Sequence, residues 1–411
     1  MNFELFIAKR IIAGKDYKNS ISSPIIKIAI TAIALGIIIM MIAVATGSGF
    51  QQKVRDKISG FKGHIQISNY DNNNSDVSLV PIDLNQDFYP EFKTITGIKN
   101  VQIFANKAGL IRTENDFEGI VFKGVSSDYD WTFFQEYIIE GKLPDFKQPR
   151  NKDILLSKTM INRLNLKLND TILVAFFRKE NKSLPSQSKY YISGIYDSGF
   201  SEFDKNMMIG DIRETQRLNN WTGNQVGGFE ILIDDFNKIE AKGEEVYQNI
   251  PSALNSRTIL ELYPNVFEWI KLADNNVWFI IAIMILVAGI NMITALLVLI
   301  LERIPMIGIL KGLGSNNWSI RKIFLYNASY LILKGLFWGN LIGLAILFTQ
   351  DYFGIITLDP ETYYVNVMPV NIDFWHILIL NVGTLILCFL MLLIPSFIIT
   401  KIQPSKSIKF A

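Results

Sequence analysis

The chain has 411 residues, of which 49% are apolar and 19% are charged, and its formal net charge at pH 7 is +2. Together with a positive mean hydropathy of +0.24, this composition argues against an ordinary soluble enzyme. The apolar residues are concentrated in four long stretches with few charges, which points to a membrane protein.

The first 24 residues are predicted to form a cytoplasmic interfacial helix. In "NFELFIAKRIIAGK", Phe3, Phe6 or Ile7, and Ile11 fall on one side of a helix while the lysines lie elsewhere. A helix of this kind rests on the inner leaflet of a membrane. The serines and the proline of "KNSISSP" then mark a break before the first span.

Four apolar stretches are long enough to cross the bilayer as helices. They predict transmembrane helices at residues 25–48, 273–302, 320–349 and 374–400. The triplet at 43–45 resembles a signal cleavage site, but the flank and the apolar run are longer than a cleavable signal needs, which favours an uncleaved anchor.

The orientation follows from the positions of the cations. Lysines and arginines lie before the first span, between the second and third spans and in the tail at 401–411, whereas the short loop at 350–373 carries acids and no Lys or Arg. Because cations near helix ends are retained in the cytoplasm, we expect both termini and the 303–319 segment to be cytoplasmic. Residues 49–272 then lie outside.

Residues 49–272 are predicted to form a large mixed α/β extracytoplasmic domain. Strand-like runs such as "GHIQIS", "FEGIVFKGV" and "GFEILIDD" are bounded by Gly, Asn and Asp, and residues 157–166 and 237–250 have helical spacing. The pattern becomes helical again from residue 260 and continues into the second span, which predicts a rigid stalk. The only cysteine, Cys388, lies in the fourth span, so this domain depends on its core and not on a disulfide.

The stretch "LERIPMIGILKGLGSNNWSIRKIF" predicts a short amphipathic helix at 303–319, between the second and third spans. Pro305 favours a helix start, Gly314 a helix end, and Ser315 or Asn316 a cap for the next helix. Within the short helix, Met306, Ile309 or Leu310, and Leu313 are predicted to share one apolar face. From spacing alone, this face could either dock a cytoplasmic partner or rest on lipid.

The residues that usually carry catalysis are scarce. The chain has two histidines, His64 and His376, and one cysteine, and it lacks a Cys/His metal spacing, a Gly-x-Ser-x-Gly elbow and a phosphate-binding loop. We therefore expect no catalytic residue, no metal site and no nucleotide-binding site on this chain, and we interpret His64 as structural. If the protein performs work, the energy must come from a partner.

Two features lie inside the third span. Gly335, Gly339 and Gly343 repeat every four residues and predict close helix packing, either within the subunit or across a dimer. Lys334 lies near the middle of the membrane, where an ionised side chain is costly; a functional role, snorkelling and an internal hydrogen bond are all open.

Several motifs together carry a resemblance to a known family. The segment "ER..MIGILKGLGSNNWSIRKIF" resembles the coupling-helix motif of FtsX/MacB-type permeases, although Met306 stands where that family usually has an acidic residue. The motifs "GFQQKVRDKISGFKGHIQI", "SGFSEFD", "YYVNVMP" and "IPSFIITKIQPSKSIKF" are similar to those of the lipoprotein-releasing permeases, the LolC/LolE group. The resemblance covers nearly the whole chain.

This resemblance implies a permease subunit of an ABC transporter in the bacterial inner membrane, with its large domain in the periplasm. The implied partners are a cytoplasmic LolD-like ATPase dimer, which would bind the ATP and Mg²⁺, a second permease subunit of the same or a sister chain, a periplasmic LolA-like carrier, lipoprotein cargo and membrane lipids. No cofactor on this chain and no nucleic acid are implied.

The resemblance also implies three groups of site residues. The ATPase-docking coupling helix would comprise Glu302, Arg303, Met306, Ile309, Leu310, Lys311 and Leu313. The acyl-chain cavity would be lined by Met40, Met41, Val44, Phe50, Val277, Phe279, Ile280, Tyr363, Tyr364 and Val365. A basic hairpin with exposed aromatics would form a carrier-binding hook at Phe176, Phe177, Arg178, Leu184 and Pro185, although a plain solvated hairpin remains open.

Two other functions compete with lipoprotein release. A MacB-like permease would export small molecules or peptides, but that type carries its ATPase in the same chain. An FtsX-like transducer would pass force to a periplasmic cell-wall hydrolase, but its outer domain is usually much smaller. A membrane-bound enzyme is the weakest alternative because the catalytic constellations are missing.

Overall fold

The computed structural model describes residues 3–13, 22–72, 76–113, 117–147, 151–176 and 185–402. The chain divides into two compact units. The helical unit comprises Met1–Gln51, Ile270–Thr357 and Val367–Ala411, and the α/β unit comprises Gln52–Trp269 and Leu358–Asn366.

The helices, in chain order, are α1 Phe3–Ala13, α2 Ser22–Lys62, α3 Thr132–Gln135, α4 Lys158–Arg163, α5 Ser201–Asp204, α6 Ile212–Leu218, α7 Ile239–Gln248, α8 Ile259–Leu262, α9 Pro264–Glu302, α10 Ile304–Gly312, α11 Asn317–Phe353, α12 Pro360–Tyr363, α13 Phe374–Ser396 and α14 Ile398–Lys401.

The strands are β1 Ile65–Asn69, β2 Ile82–Asp83, β3 Ile98–Arg112, β4 Phe117–Val125, β5 Ile138–Gly141, β6 Asp153–Ser157, β7 Thr171–Phe176, β8 Ser186–Tyr196, β9 Met207–Asp211, β10 Gln225–Val226, β11 Gly228–Ile233 and β12 Leu254–Thr258.

Within the described residues, four segments are long and apolar enough to cross a membrane: Pro24–Lys62, Pro264–Glu302, Asn317–Phe353 and Phe374–Lys401. The predicted number of spans is therefore confirmed. The first helix does not end near residue 48, where its apolar run ends, but continues to Lys62. It stops where Gly63 adopts a positive φ of 70°, a conformation that ends helices and that glycine adopts without strain.

The helical unit is held together by one apolar cluster, to which α2, α9, α10, α11 and α13 contribute. Local signals fix where its helices begin and end. The side chain of Asn316 accepts a hydrogen bond from the main-chain N–H of Ser319 at the start of α11, and Gly354 closes α11 in a left-handed conformation. Asp373 caps α13 in the same way through the N–H of Trp375.

Within the described residues of the α/β unit, ten strands form one mixed sheet in the order β12-β1-β11-β3-β4-β9-β6-β8-β5, and β7 pairs with both β3 and β8. Part of the core is an apolar cluster around Phe122, Met160, Phe176 and Tyr190. The unit is therefore a mixed α/β domain, as predicted from its strand-like runs and helical spacing.

Two long helices join this sheet at neighbouring strands. Helix α2 leads through Gly63 and His64 into β1, while β12 leads through α8 into α9. Strands β1 and β12 pair in antiparallel register, with Ile65 opposite Thr258. The main-chain carbonyl of His64 also accepts the N–H of Ile259 at 3.0 Å, so the two connections are bonded directly to each other.

Candidate functional site

Helix α10 presents an apolar face to the surface of the helical unit, but its composition differs from the prediction. Ile307 and Gly308 are buried, and Met306 and Leu310 pack partly against the apolar cluster. The exposed side is formed by Pro305, Ile309 and Leu313, and Leu313 is 79% exposed. Of the predicted face, Ile309 and Leu313 are exposed, whereas Met306 and Leu310 turn partly toward the cluster. Every turn of α10 is apolar, so packing alone selects the inner side.

Lys311 fixes α10 to the end of the fourth span. Its ammonium donates hydrogen bonds to the main-chain carbonyls of Ile399 at 2.8 Å, Thr400 at 3.4 Å and Ile402 at 2.8 Å. These carbonyls belong to the end of α14, where helical carbonyls lack partners and a cation is favourable. Lys311 is thus an internal tie and does not project outward.

The remaining coupling-helix residues lie at the junction of α9 and α10. Glu302 ends α9 and Arg303 precedes α10; both are half-buried. The Nε atom of Arg303 is buried and has no hydrogen-bond partner among the described residues. Nearby in the chain, Arg321 is buried, donates through Nε to the Ser396 hydroxyl at 3.1 Å and covers the Phe397 ring at 3.8 Å.

The ten residues expected to line an acyl-chain cavity are divided between the units, seven in the helical unit and three in the α/β unit. Met40 and Met41 are fully buried in the helical cluster, so the expectation that they line an open cavity is wrong for Met40. Met41 and Val44 border a cleft of about 10 Å³ beside His376. A helix interior attracts flexible methionines for packing as well as for ligand binding.

The other predicted cavity residues of the helical unit are more accessible. Phe279 is 67% exposed, and Phe50, Val277 and Ile280 are half-buried. A Cβ atom built on Gly47 would lie 3.1 Å from Val277, so α2 and α9 approach closely at this level.

The other three predicted residues lie in the short loop between α11 and α13. Residues 358–366 of this loop pack within the α/β unit, and we call them the latch. The Tyr364 ring stacks on Phe200 with centroids 4.9 Å apart, and Val365 is buried. The buried Lys57 ammonium donates to the Tyr364 carbonyl at 3.0 Å. Tyr363 is more exposed and its ring lies 6.2 Å from that of Trp269.

The latch rests on the "SGFSEFD" segment, so two of the family-like motifs meet. Gly199 has a φ of +62°, and a Cβ there would lie 2.8 Å from Oδ1 of Asn366. The Ser198 hydroxyl donates to the buried carboxylate of Asp204 at 2.6 Å. Burial raises the pKa of Asp204 to about 6, an effect that the Ser198 hydrogen bond opposes.

The predicted hook lies only partly within the described residues. Phe176 and Pro185 are described, whereas Phe177, Arg178 and Leu184 lie outside the described residues. Phe176 is fully buried against Phe122 and Tyr190, so its predicted exposure is wrong: it is the inward-facing last residue of β7. Pro185 is half-buried before β8.

The three glycines of α11 pack against α2 within the same chain. A Cβ built on Gly335 would lie 2.7 Å from Ile33, one on Gly339 would overlap Ile37, and one on Gly343 would lie 3.3 Å from Met41. Lys334 is on the exposed side of α11, with its ammonium 4.7 Å from the centroid of the Tyr330 ring.

A buried ion pair at the end of α2 was not predicted. Lys123 donates to the carboxylate of Glu230 at 2.6 Å, with side-chain exposures of 1% and 0%, and also to the main-chain carbonyl of Phe61. Gln66 and Gln102 donate to the same carboxylate at 3.2 and 2.9 Å. Burial lowers the pKa of Lys123, and Glu230 opposes that shift. The available signal was a lone charged residue inside each of two buried strand patterns.

Comparison with known proteins is consistent with this arrangement. Residues 28–246 match the MacB-like periplasmic core domain, and residues 278–404 match the FtsX-like permease C-terminal region. The chain is 19% identical to the lipoprotein-releasing system transmembrane protein LolC of Xylella fastidiosa (strain 9a5c), over 96% of this chain and 95% of that protein.

Two further relatives match over nearly their full length. LolC of Neisseria meningitidis serogroup B is 21% identical over 100% of this chain and 99% of that protein. The transmembrane protein LolE of Haemophilus influenzae is 20% identical over 99% of both chains. The resemblance predicted from the motifs is therefore confirmed. Because the core-domain match covers more than half of the chain and the FtsX-like match follows it, the chain belongs to the FtsX/MacB-type permeases, a family of multi-pass membrane proteins with a MacB-like periplasmic core domain.

Proposed function

We propose that the chain is a permease subunit of an ABC transporter that releases lipoproteins from the outer leaflet of the bacterial inner membrane to a periplasmic carrier. The observation that carries this proposal is the nearly full-length similarity to proteins named LolC and LolE. The cation distribution supports cytoplasmic termini and a periplasmic α/β unit.

In this mechanism a separate ATPase supplies the energy and α10 receives it. The exposed side of Pro305, Ile309 and Leu313 suits an apolar groove on the ATPase. The inner side of α10 packs on the helical cluster, and Lys311 bonds α10 to the end of α14. A push on α10 is therefore transmitted to the third and fourth spans as well as to α9.

Movement reaches the α/β unit through continuous helices. Helix α9 runs without a break from Pro264 to Glu302, and helices of this kind bend little unless a proline, glycine pair or bulge interrupts them. At its outer end α9 follows β12, the pairing partner of β1, which in turn follows α2. The joint between these strands would turn a tilt of the spans into a movement of the sheet.

The cargo is held by its acyl chains, each buried methylene of which resists extraction by about 0.8 kcal/mol. We assign the cavity walls to accessible apolar residues of two neighbouring permease subunits, including Phe279 and Ile280, and leave the buried Met40 to packing. The loop at 176–185 remains a proposed contact for the carrier.

Reconstitution tests this function. Proteoliposomes holding the permease, its ATPase and a triacylated lipoprotein should transfer the lipoprotein to a soluble carrier when ATP is added. An Ile309→Asp/Leu313→Asp variant should lose ATPase association and transfer together, since two charges would enter an apolar contact. Asn317→Asp is the matched control, because an acid at the start of α11 is tolerated.

Four results would count against the proposal. Transfer that persists in the double variant would remove α10 from the mechanism. If the wild-type permease associates stably with the ATPase but does not transfer the lipoprotein, lipoprotein release is excluded as its function. Export of a small molecule or peptide by the same proteoliposomes would favour the efflux alternative, and stimulation of a cell-wall hydrolase would favour the force-transducer alternative.

A further inference from the structure

The α/β unit contains a polar cavity of about 250 Å³ that the proposed transport mechanism does not use. It lies between the end of α2, one face of β1, β3 and β12, and the segments around α5 and α8. The polar residues that line it include Lys62, Gln66, Asp76, Asn106, Glu202 and Arg257, with Tyr263 beside them.

The inner part of the cavity is basic. Lys62 is buried, with its ammonium 3.3 Å from Oδ1 of Asp76. Arg257 is half-buried, and among the described residues its guanidinium makes no hydrogen bond or ion pair within contact distance. A guanidinium presents a rigid fork of donors that fits an oxyanion, and removing it from water without such a partner is costly.

The nearest buried acid is not available to Arg257. Register places Gln66 between Arg257 on β12 and Glu230 on β11. Glu230 already accepts from Lys123, Gln66 and Gln102. Glu230 therefore does not pair with Arg257, and the carboxylates that act on Arg257 from a greater distance are Glu261 and Asp76.

The outer part of the cavity is acidic. Asp76 is 74% exposed, and the carboxylate of Glu202 has no hydrogen-bond partner among the described residues. Burial raises the pKa of Glu202, and Lys62 opposes the shift. Tyr263 lines the same space. A cationic group would find a partner in Glu202, and an anionic group would find one in Arg257.

We propose that this cavity binds a small zwitterion, with an oxyanion on Arg257 and an amine on Glu202, beside the Lys62–Asp76 ion pair. The chemical class is an ammonium and a carboxylate or phosphate separated by a few bonds. Two sources share this chemistry, a phosphoethanolamine group and the termini of a short peptide. Neither the ATPase nor transport is needed for binding, so this proposal stands or falls separately from the proposed function.

Calorimetric titration of the full chain in dodecyl maltoside, whose headgroup is uncharged, tests the site. O-phosphoethanolamine and glycylglycine are the zwitterionic probes, and inorganic phosphate and ethanolamine are the single-charge probes. At least one zwitterion should saturate at one site and bind roughly tenfold more tightly than either single-charge probe, because each adds a second charged contact. Which zwitterion binds distinguishes the headgroup-like source from the peptide-like source.

Variants separate the two ends of the site. Arg257→Gln should lower the affinity for the zwitterion and for phosphate alike by roughly tenfold, because both ligands contact the guanidinium. Glu202→Gln, on the exposed rim, should lower the affinity for the zwitterion but leave the affinity for phosphate unchanged. Arg163→Gln, which removes an arginine paired with Glu118 elsewhere in the unit, should change neither.

The proposal is overturned if neither zwitterion saturates at millimolar concentration. It is also overturned if phosphate alone binds as tightly as the zwitterion, or if Glu202→Gln weakens both probes equally. A thermal unfolding curve matched to wild type is required for each variant, and the Glu202 variant alone decides the matter if Arg257→Gln does not fold.

Discussion

Replacing Lys123 with methionine should destabilise the sheet around the end of α2. The substitution keeps most of the side-chain volume but leaves the fully buried carboxylate of Glu230 without its cation, and it removes the donor to the Phe61 carbonyl. Breaking a buried pair by deleting one partner costs about 3–5 kcal/mol. The side-chain amides of Gln66 and Gln102 still donate hydrogen bonds to Glu230. We therefore expect the free energy of unfolding to fall by an amount near the lower end of this range, about 3 kcal/mol.

Hydrogen exchange on the full chain in detergent measures this loss where it occurs. At about 1.4 kcal/mol per factor of ten, a loss of about 3 kcal/mol lowers the protection of the slowest amides in β4 and β11 by roughly 100-fold. Lys189→Met, which removes an exposed lysine from β8, is the control and should change protection by less than threefold, since surface substitutions stay within about 0.5 kcal/mol.

A second substitution tests the reason for the loss. In Lys123→Met/Glu230→Leu the buried charge is gone as well, and replacing a buried pair by apolar residues is often neutral or stabilising. The double variant should therefore recover most of the protection. The reasoning is refuted if Lys123→Met exchanges like wild type, or if the double variant is less protected than the single one.

Three further predictions concern other contacts. The pKa of Asp204 in the folded protein, about 6, lies above its ordinary value of 3.8, so folding takes up a proton between about pH 4 and 6. The free energy of unfolding of the wild type therefore falls as the pH rises through this window, by about 1–3 kcal/mol in all. Asp204→Asn should remove this fall, and an unchanged pH profile of the thermal midpoint would contradict the prediction. Gly339→Leu should prevent folding, so that no folded protein elutes in size-exclusion chromatography, since even a Cβ at this position overlaps Ile37. The control Gly383→Leu, with open space at its Cβ, should elute like the wild type. Lys311→Met should speed proteolysis after residue 399 severalfold by freeing the carbonyls of Ile399 and Ile402, and unchanged cleavage would show that the tie is dispensable.

The sequence predicted the elements whose signals are local. The four spans follow from long apolar runs, and the α10 segment follows from Pro305 at its start and Gly314, which has a φ of +90°, after its end. The face of α10 could not be predicted in the same way. Almost every position of "IPMIGILKG" is apolar, so only packing against the rest of the helical unit distinguishes Ile307 from Ile309.

Features that depend on distant residues were missed. The extension of α2 to Lys62 passes through Gly60, a weak helix residue, which is tolerated because the Phe133 ring occupies the place of a side chain. The partners of Lys123 come from α2 and β11, and the polar cavity combines residues from between Lys62 and Tyr263. No spacing rule connects residues this far apart in the chain.

The end of α2 explains why the extension matters. A helix end leaves carbonyls without partners, and here three of them are bonded: Ser59 to the N–H of Gly63 at 2.7 Å, Gly60 to the Tyr129 hydroxyl at 2.7 Å, and Phe61 to Lys123. Two of the three donors are side chains of buried residues beside or within the sheet.

These bonds tie the end of α2 to residues beside and within the sheet. Because β1 continues from α2 and is paired with β12, which precedes α9, both long helices act on one pair of strands. In the proposed mechanism, this strand pair and the buried contacts at the end of α2 would carry a movement of the spans into the α/β unit.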